Sequence, residues 1–148
     1  MCQEHPERCL PRTVSDPIDF LQWGSTLNDV NRAVNHSIKY RADEVDHFDD
    51  APEYGDCDDY ALTKRNILIK RGFDPSVTLF VFVHLHGFGN IGDEGKHAVL
   101  AIRTNYGLKI MDNLYDGIYD FDQMMVDWSF IEGAANPKAW APVDTSGY

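Results

Sequence analysis

The residues best suited to chemistry lie in Tyr54-Gly55-Asp56-Cys57-Asp58-Asp59-Tyr60-Ala61, where a cysteine sits among carboxylates at the expected start of a helix. Unpaired N–H groups and the helix dipole at such a start favour thiolate over thiol. A thiolate becomes an effective nucleophile when an imidazole takes its proton and a third group orients the imidazole. His97, at the head of an apolar stretch, and Asp112, near the end of the next one, are the candidates for base and orienter. A two-residue turn between those stretches puts 97 and 112 on one face about a diagonal step apart, within hydrogen-bond reach. A three-residue turn without a bulge puts them on opposite faces.

The elements that must position these side chains follow from patterning. Ser15-Asp16-Pro17 predicts a first helix, with Phe20, Leu21 and Trp23 on its buried side and Gly24 as its end. Thr26 then caps a second helix running to about Tyr40, with Leu27, Val30, Val34 and Ile38 as its apolar stripe and Asn31 and Asn35 beside it. The third runs from Asp56 to Arg71 and stops at Gly72; Cys57, Tyr60, Ala61, Ile67 and Leu68 share a broad face, and Lys64 falls within it. Residues 77–85 alternate as a strand buried on both faces. A glycine-containing loop over 87–95 precedes strands over 96–103 and 108–113, joined by Asn105-Tyr106-Gly107. Helices followed by an antiparallel sheet make an α+β domain. The expected organisation is a loose N-terminal arm over 1–14 and a single domain over 15–148.

The whole-chain figures exclude several classes. A chain of 148 residues with 43% hydrophobic and 25% charged residues holds one core of useful size. A formal net charge of −11 argues against nucleic acid and against anionic membrane surfaces. No apolar run is long enough to span a bilayer. The N-terminus carries no apolar leader, so the expected compartment is the cytoplasm. Three cysteines do not make a disulfide framework. Cys2, His5 and Cys9 lack a fourth ligand for zinc, and terminal residues of no special role are the better reading.

Two further features bear on chemistry. Asp56, Asp58 and Asp59 place negative charge beside the thiol, which opposes thiolate formation. They either cap the helix, or bind Ca²⁺ through their oxygens. His84 and His86 form an H-x-H pair; zinc binding there would need ligands such as His97 and Asp112, and cleft lining or core packing is the better reading.

Three ordered stretches carry a family resemblance: Gly55-Asp56-Cys57-Asp58-Asp59-Tyr60-Ala61 with Lys64, then His97-Ala98-Val99-Leu100, then Met111-Asp112-Asn113-Leu114. Over roughly residues 20–130 the chain resembles the bacterial transglutaminase-like cysteine proteinases, a group that includes LapG-type periplasmic proteases. The segment before the cysteine motif, residues 46–53, is shorter than the family's usual one. The resemblance implies a papain-like or transglutaminase-like fold with N-terminal helices packed on an antiparallel sheet. It implies Cys57 as nucleophile, His97 as base and Asp112 as orienter, acting on an amide bond of a protein or peptide substrate, and calcium ligands flanking the cysteine. For the oxyanion, the Cys57 N–H is joined by Tyr54 or Trp23 as the candidate second donor. Other acyl transfer (transglutamination, deamidation or cell-wall amide hydrolysis) and a non-catalytic binding module are the competing readings.

Overall fold

The computed structural model describes residues 10–40, 54–86 and 95–143. Two helices lie on one face of a six-stranded, wholly antiparallel sheet of order β6-β5-β4-β3-β7-β8. In chain order these are α1 (Phe20–Ser37), β1 (Lys39–Tyr40), β2 (Tyr54–Gly55), α2 (Cys57–Lys70), β3 (Thr78–Leu85), β4 (Lys96–Thr104), β5 (Gly107–Met111), β6 (Tyr119–Asp120), β7 (Val126–Glu132) and β8 (Trp140–Pro142). β1 and β2 form a separate parallel pair leading into α2. The α+β class is as expected; residues 1–9 of the expected arm and the acidic run over 41–53 lie outside the described residues.

The expected first and second helices are one. Asp19, not Ser15, caps α1, its Oδ1 accepting from the Leu21 N–H at 3.1 Å. The described residues before it are not helical, and Ile18 is bridged to Thr104. Gly24 is not a terminator: a Cβ there would meet the Phe20 ring at 3.3 Å, so the glycine makes room for a ring one turn earlier. Thr26 is therefore interior to α1 and caps nothing. The helix stops at Ser37, and the chain turns extended to form β1.

α2 begins and ends as its sequence implies. Asp56 is its N-cap in a reciprocal box with Asp59, and Gly72 follows it at φ 99°, a backbone angle that favours glycine. β4 and β5 join through a two-residue turn, because Thr104 pairs with Gly107. The stretch with Trp128, Phe130 and Ile131, expected to add another strand or a cover, forms β7 as an inner strand. It pairs with β3, from Val81 opposite Ile131 to Leu85 opposite Val126, and β8 extends the sheet beyond it.

Each face of the sheet has its own core. Leu27, Val30 and Val34 of α1 and Tyr60, Ala61 and Leu68 of α2 pack over Phe80, Leu100, Ile102 and Met111. On the opposite face Leu79, Val81, Val83, Val99, Ala101 and Ile110 are covered by the chain from Tyr119 to Val126. Two covered faces explain why β3 and β4 read as almost continuous apolar runs. A buried ion pair, Arg65 Nη1 to Glu132 Oε1 at 3.0 Å, pins α2 to β7, and Glu132 also accepts the Phe80 N–H.

Candidate active site

Strand pairing decides where Cys57 can sit. Along β4, backbone N–H groups point alternately toward β3 and β5. The Leu85 N–H bonds to the Gly95 carbonyl, so the odd-numbered residues of β4 face β3 and Ala98 faces the β5 side. β5 stops at Met111, opposite Leu100, so no strand residue pairs with Ala98 on that side. The Cys57 sulfur takes that place, with the N–H groups of Ala98 and Asp58 close enough to favour its thiolate. The first residue of α2 is thereby held beside the neighbour of His97.

His97 Nε2 is 2.7 Å from Asp112 Oδ1. Positions 97 and 112 stand one diagonal step apart across β4 and the end of β5, as the two-residue turn requires. The pair is buried, and the bond at Nε2 leaves Nδ1 as the ring nitrogen for proton transfer. Asp112 is held on every side. Its Oδ1 also accepts the Leu114 N–H at 3.0 Å, and its Oδ2 accepts the Tyr119 hydroxyl at 2.6 Å. Burial pushes its carboxyl up, but the bonds from His97, Tyr119 and Leu114 outweigh this and hold it below the usual range. Tyr119 is raised by burial and by the facing Asp112, so it stays a hydroxyl donor.

Sequence reasoning missed Tyr119, which reaches Asp112 only because β6 folds back on β5. Nor does their place beside the apolar stripe show what Asn31 and Asn35 do: their amides hold the loop after β5. Asn35 Nδ2 donates to the Asp112 carbonyl at 2.9 Å, and Asn31 Nδ2 to the carbonyls of Tyr115 and Asp116 at 2.9 and 3.0 Å. The available signal was two asparagines four apart beside a buried stripe. A cleft of about 660 Å³ opens next to Asp112 and Tyr119, walled by Leu85, His86, Met124 and Met125.

The surroundings of Cys57 oppose its ionisation. Burial first, then Asp58 and Asp56, push the thiol up to about 12, against the lowering effect of the two N–H groups. Asp56 and Asp59 are drawn back into the capping box, Asp59 N–H to Asp56 Oδ1 at 3.3 Å and Asp56 N–H to Asp59 Oδ2 at 3.1 Å. Successive helical residues diverge, and Asp59 is buried. Among the described residues no three His, Cys, Asp or Glu side chains are grouped to hold a metal. Asp56, Asp58 and Asp59 are thus not a calcium cage by themselves.

The same finding removes the zinc reading of His84 and His86. Their Nδ1 atoms share the Asp127 carboxylate, at 3.0 and 2.7 Å, and His97 and Asp112 do not join them. Trp23 is also misplaced as an oxyanion donor: it packs edge-on against Phe73 at 5.5 Å, beyond the far end of α2. A 14-residue helix separates that end from Cys57 by about 20 Å. The Tyr54 side chain lies outside the described residues.

The model of the bacterial transglutaminase-like cysteine proteinases matches residues 1–147. The chain belongs to that family. Its membership indicates a cysteine protease. Among solved structures, calcium-bound LapG of Legionella pneumophila matches with a TM-score of 0.60 and 18% identity, over 83% of this chain and 72% of that one. The EGTA-treated form gives 0.58 and 19%, over 82% and 68%, and a further LapG structure 0.56 and 20%, over 72% and 63%. These likenesses show that this proteinase shares the LapG fold. A search of curated protein sequences finds no match. Among the described residues of the proteinase, no helix is long and apolar enough to cross a membrane.

Proposed function

We propose that Cys57, His97 and Asp112 form the catalytic triad of a cysteine peptidase that hydrolyses an amide bond in a protein substrate. One observation carries the reading: the His97 ring bonds to Asp112 at 2.7 Å while the Cys57 sulfur lies near the Ala98 N–H, next to His97 in the chain. His97 takes the thiol proton as the sulfur attacks the amide carbonyl, and the Cys57 N–H at the helix start stabilises the oxyanion. The imidazolium, steadied by Asp112, gives its proton to the leaving amine. His97 then activates water, which releases the acid and restores the thiol.

Calcium enters the proposal through the charge beside the thiol. The carboxylates that flank Cys57 in the chain, Asp56, Asp58 and Asp59, favour a cation there. Neutralising those carboxylates would lower the cost of the thiolate. The capping box leaves the outer edge of the pair, with Asp58, as the place to hold an ion, completed by ligands beyond these three.

The test compares the wild-type chain with Cys57→Ser, His97→Gln and Asp112→Asn on reduced, carboxymethylated casein, with products read by mass. The expected result is new termini carrying a free acid, abolished in the first two variants and cut at least a hundredfold in the third. Products that incorporate an added amine in place of water would assign the chain to acyl transfer instead. Equal Cys57 and background labelling by iodoacetamide, with no product of either kind, would refute the triad. Melting temperature and labelling in calcium against EGTA test the ion; identical values in both would remove it.

A further inference from the structure

The face of the sheet that carries the helices is covered unevenly. α1 and α2 lie over β5 and β4, and their cover reaches β3 at Phe80 and β7 at Glu132. Beyond that line, directly opposed residues on the same face are aromatic: Phe82 opposite Phe130, and His84 opposite Trp128. Trp140, opposite Glu132 on β8, adds a further ring to this face. The rings form one packed surface, with centroids 5.2 Å apart for Phe82–Trp140, 5.7 Å for His84–Trp128 and 5.9 Å for Trp128–Phe130. Yet Trp128, Phe130 and Trp140 are 40%, 41% and 39% exposed. Large rings ordered against one another and left open to water mark a binding surface rather than a core.

Register ties this surface to the nucleophile. Ala98, whose N–H lies near the Cys57 sulfur, pairs with Phe82, and Phe82 pairs with Phe130. Cys57 stands on the other side of β4, so strand spacing puts Phe82 about 10 Å and Phe130 about 15 Å from it. An extended chain advances about 3.3 Å per residue, so these distances are three to five residues long. We infer that the Phe82–Trp128–Phe130–Trp140 plate binds an extended segment of the substrate protein through large apolar side chains three to five residues from the cleaved bond. The occupant is the substrate chain because the plate continues from the nucleophile along one row of the sheet. The shared Asp127 carboxylate fixes His84 and His86 at the plate's edge and holds the bulge that sets Trp128 in place.

The inference rests on the proposed peptidase, and its test separates the two. Binding is measured on the Cys57→Ser chain by tryptophan fluorescence, using Gly/Ser/Ala decapeptides that carry two Phe residues three apart, against the same peptides with Ala in their place. The Phe peptides are expected to bind at least tenfold tighter. Trp128→Ala and Trp140→Ala, each checked for an unchanged melting transition, are expected to reduce that ratio about fivefold, and Leu21→Ala, on the exposed side of α1, to leave it alone. In wild-type chain, cleavage of the Phe peptides is expected to be favoured through KM rather than kcat. Equal binding of Phe and Ala peptides, or a ratio that survives both tryptophan substitutions, overturns the plate whatever the catalytic result. Phe-selective binding without any cleavage by wild-type chain supports the plate and refutes the peptidase.

Discussion

Replacing Lys64 with methionine tests the electrostatics behind the proposed triad. Lys64 is fully buried on α2, two turns beyond Cys57, and its Nζ has no hydrogen-bond partner among the described residues. The Tyr60 ring lies 5.8 Å away, and the charges that face it are those of Asp112 and Asp116. Burial brings its amine from 10.5 down to about 7, against the upward pull of the two carboxylates. At about 1.4 kcal/mol per pH unit, that gap amounts to at most about 5 kcal/mol. The sign follows from the lowered value. Below pH 7 the ammonium is present in folded and unfolded chains alike, and the folded state bears the whole penalty. Between pH 7 and 10.5 the unfolded chain still holds the proton and the folded chain does not, so stability rises with pH and the penalty fades.

Methionine fills nearly the same space with no charge. Lys64→Met is therefore expected to be more stable than wild type by about 3–5 kcal/mol at pH 6, with the advantage shrinking to near zero by pH 10.5. Urea unfolding followed by tryptophan fluorescence, at pH intervals from 6 to 10.5, measures this difference directly. The same substitution deletes a cation facing Asp112, so activity on a peptide substrate is expected to fall while stability rises. A stability difference that stays constant across the pH range would refute the reasoning, because it would mean that no proton is taken up on unfolding at this site.

Three other outcomes are expected. Asp58→Asn removes the largest charge opposing the thiolate and should speed iodoacetamide labelling of Cys57 at pH 8 by about three- to tenfold, read by mass spectrometry. Tyr119→Phe keeps the ring but deletes a donor to Asp112, so kcat/KM should fall about fivefold. Because that donor helps hold the Asp112 carboxyl down, the acid limb of the pH–rate profile should move to higher pH. Glu132→Leu removes the buried carboxylate paired with Arg65 and frees the Phe80 N–H, and should destabilise the fold by about 3–5 kcal/mol in urea, with Arg65→Met in the same chain restoring most of it.

Local chemistry was legible wherever neighbours in sequence decide the outcome. The Asp56 cap, the Gly72 stop and the Asn105–Tyr106 turn each follow from a few adjacent residues, and together they fix α2 and the register that joins His97 to Asp112. Gly24 misled because a glycine that admits a neighbouring ring has the same letter as one that ends a helix. The place of β7 in the sheet was illegible for a different reason. Its partner is β3, some 45 positions earlier, and its half-open aromatic face breaks the alternation that signals a buried strand. Lys64 was visible within the apolar face of α2, but which carboxylates it would meet depended on where α1 held the loop after β5. Tyr119 depended on the same fold-back.

The helix start of α2 has two demands placed on it that pull in opposite directions. Capping needs acidic side chains at Asp56 and Asp59, and a nucleophile needs their charge kept away from its sulfur. The capping box meets both, since it draws the Asp56 and Asp59 carboxylates onto backbone N–H groups. Asp58, outside the box, is left as the leading charge acting on Cys57, ahead of Asp56. The thiol therefore rests protonated beside the Ala98 and Asp58 N–H groups, and in the proposed mechanism it passes its proton to the imidazole when a carbonyl approaches. Whatever neutralises Asp58, whether a cation or a substrate's basic group, lowers the barrier to that transfer without disturbing the cap that positions the sulfur.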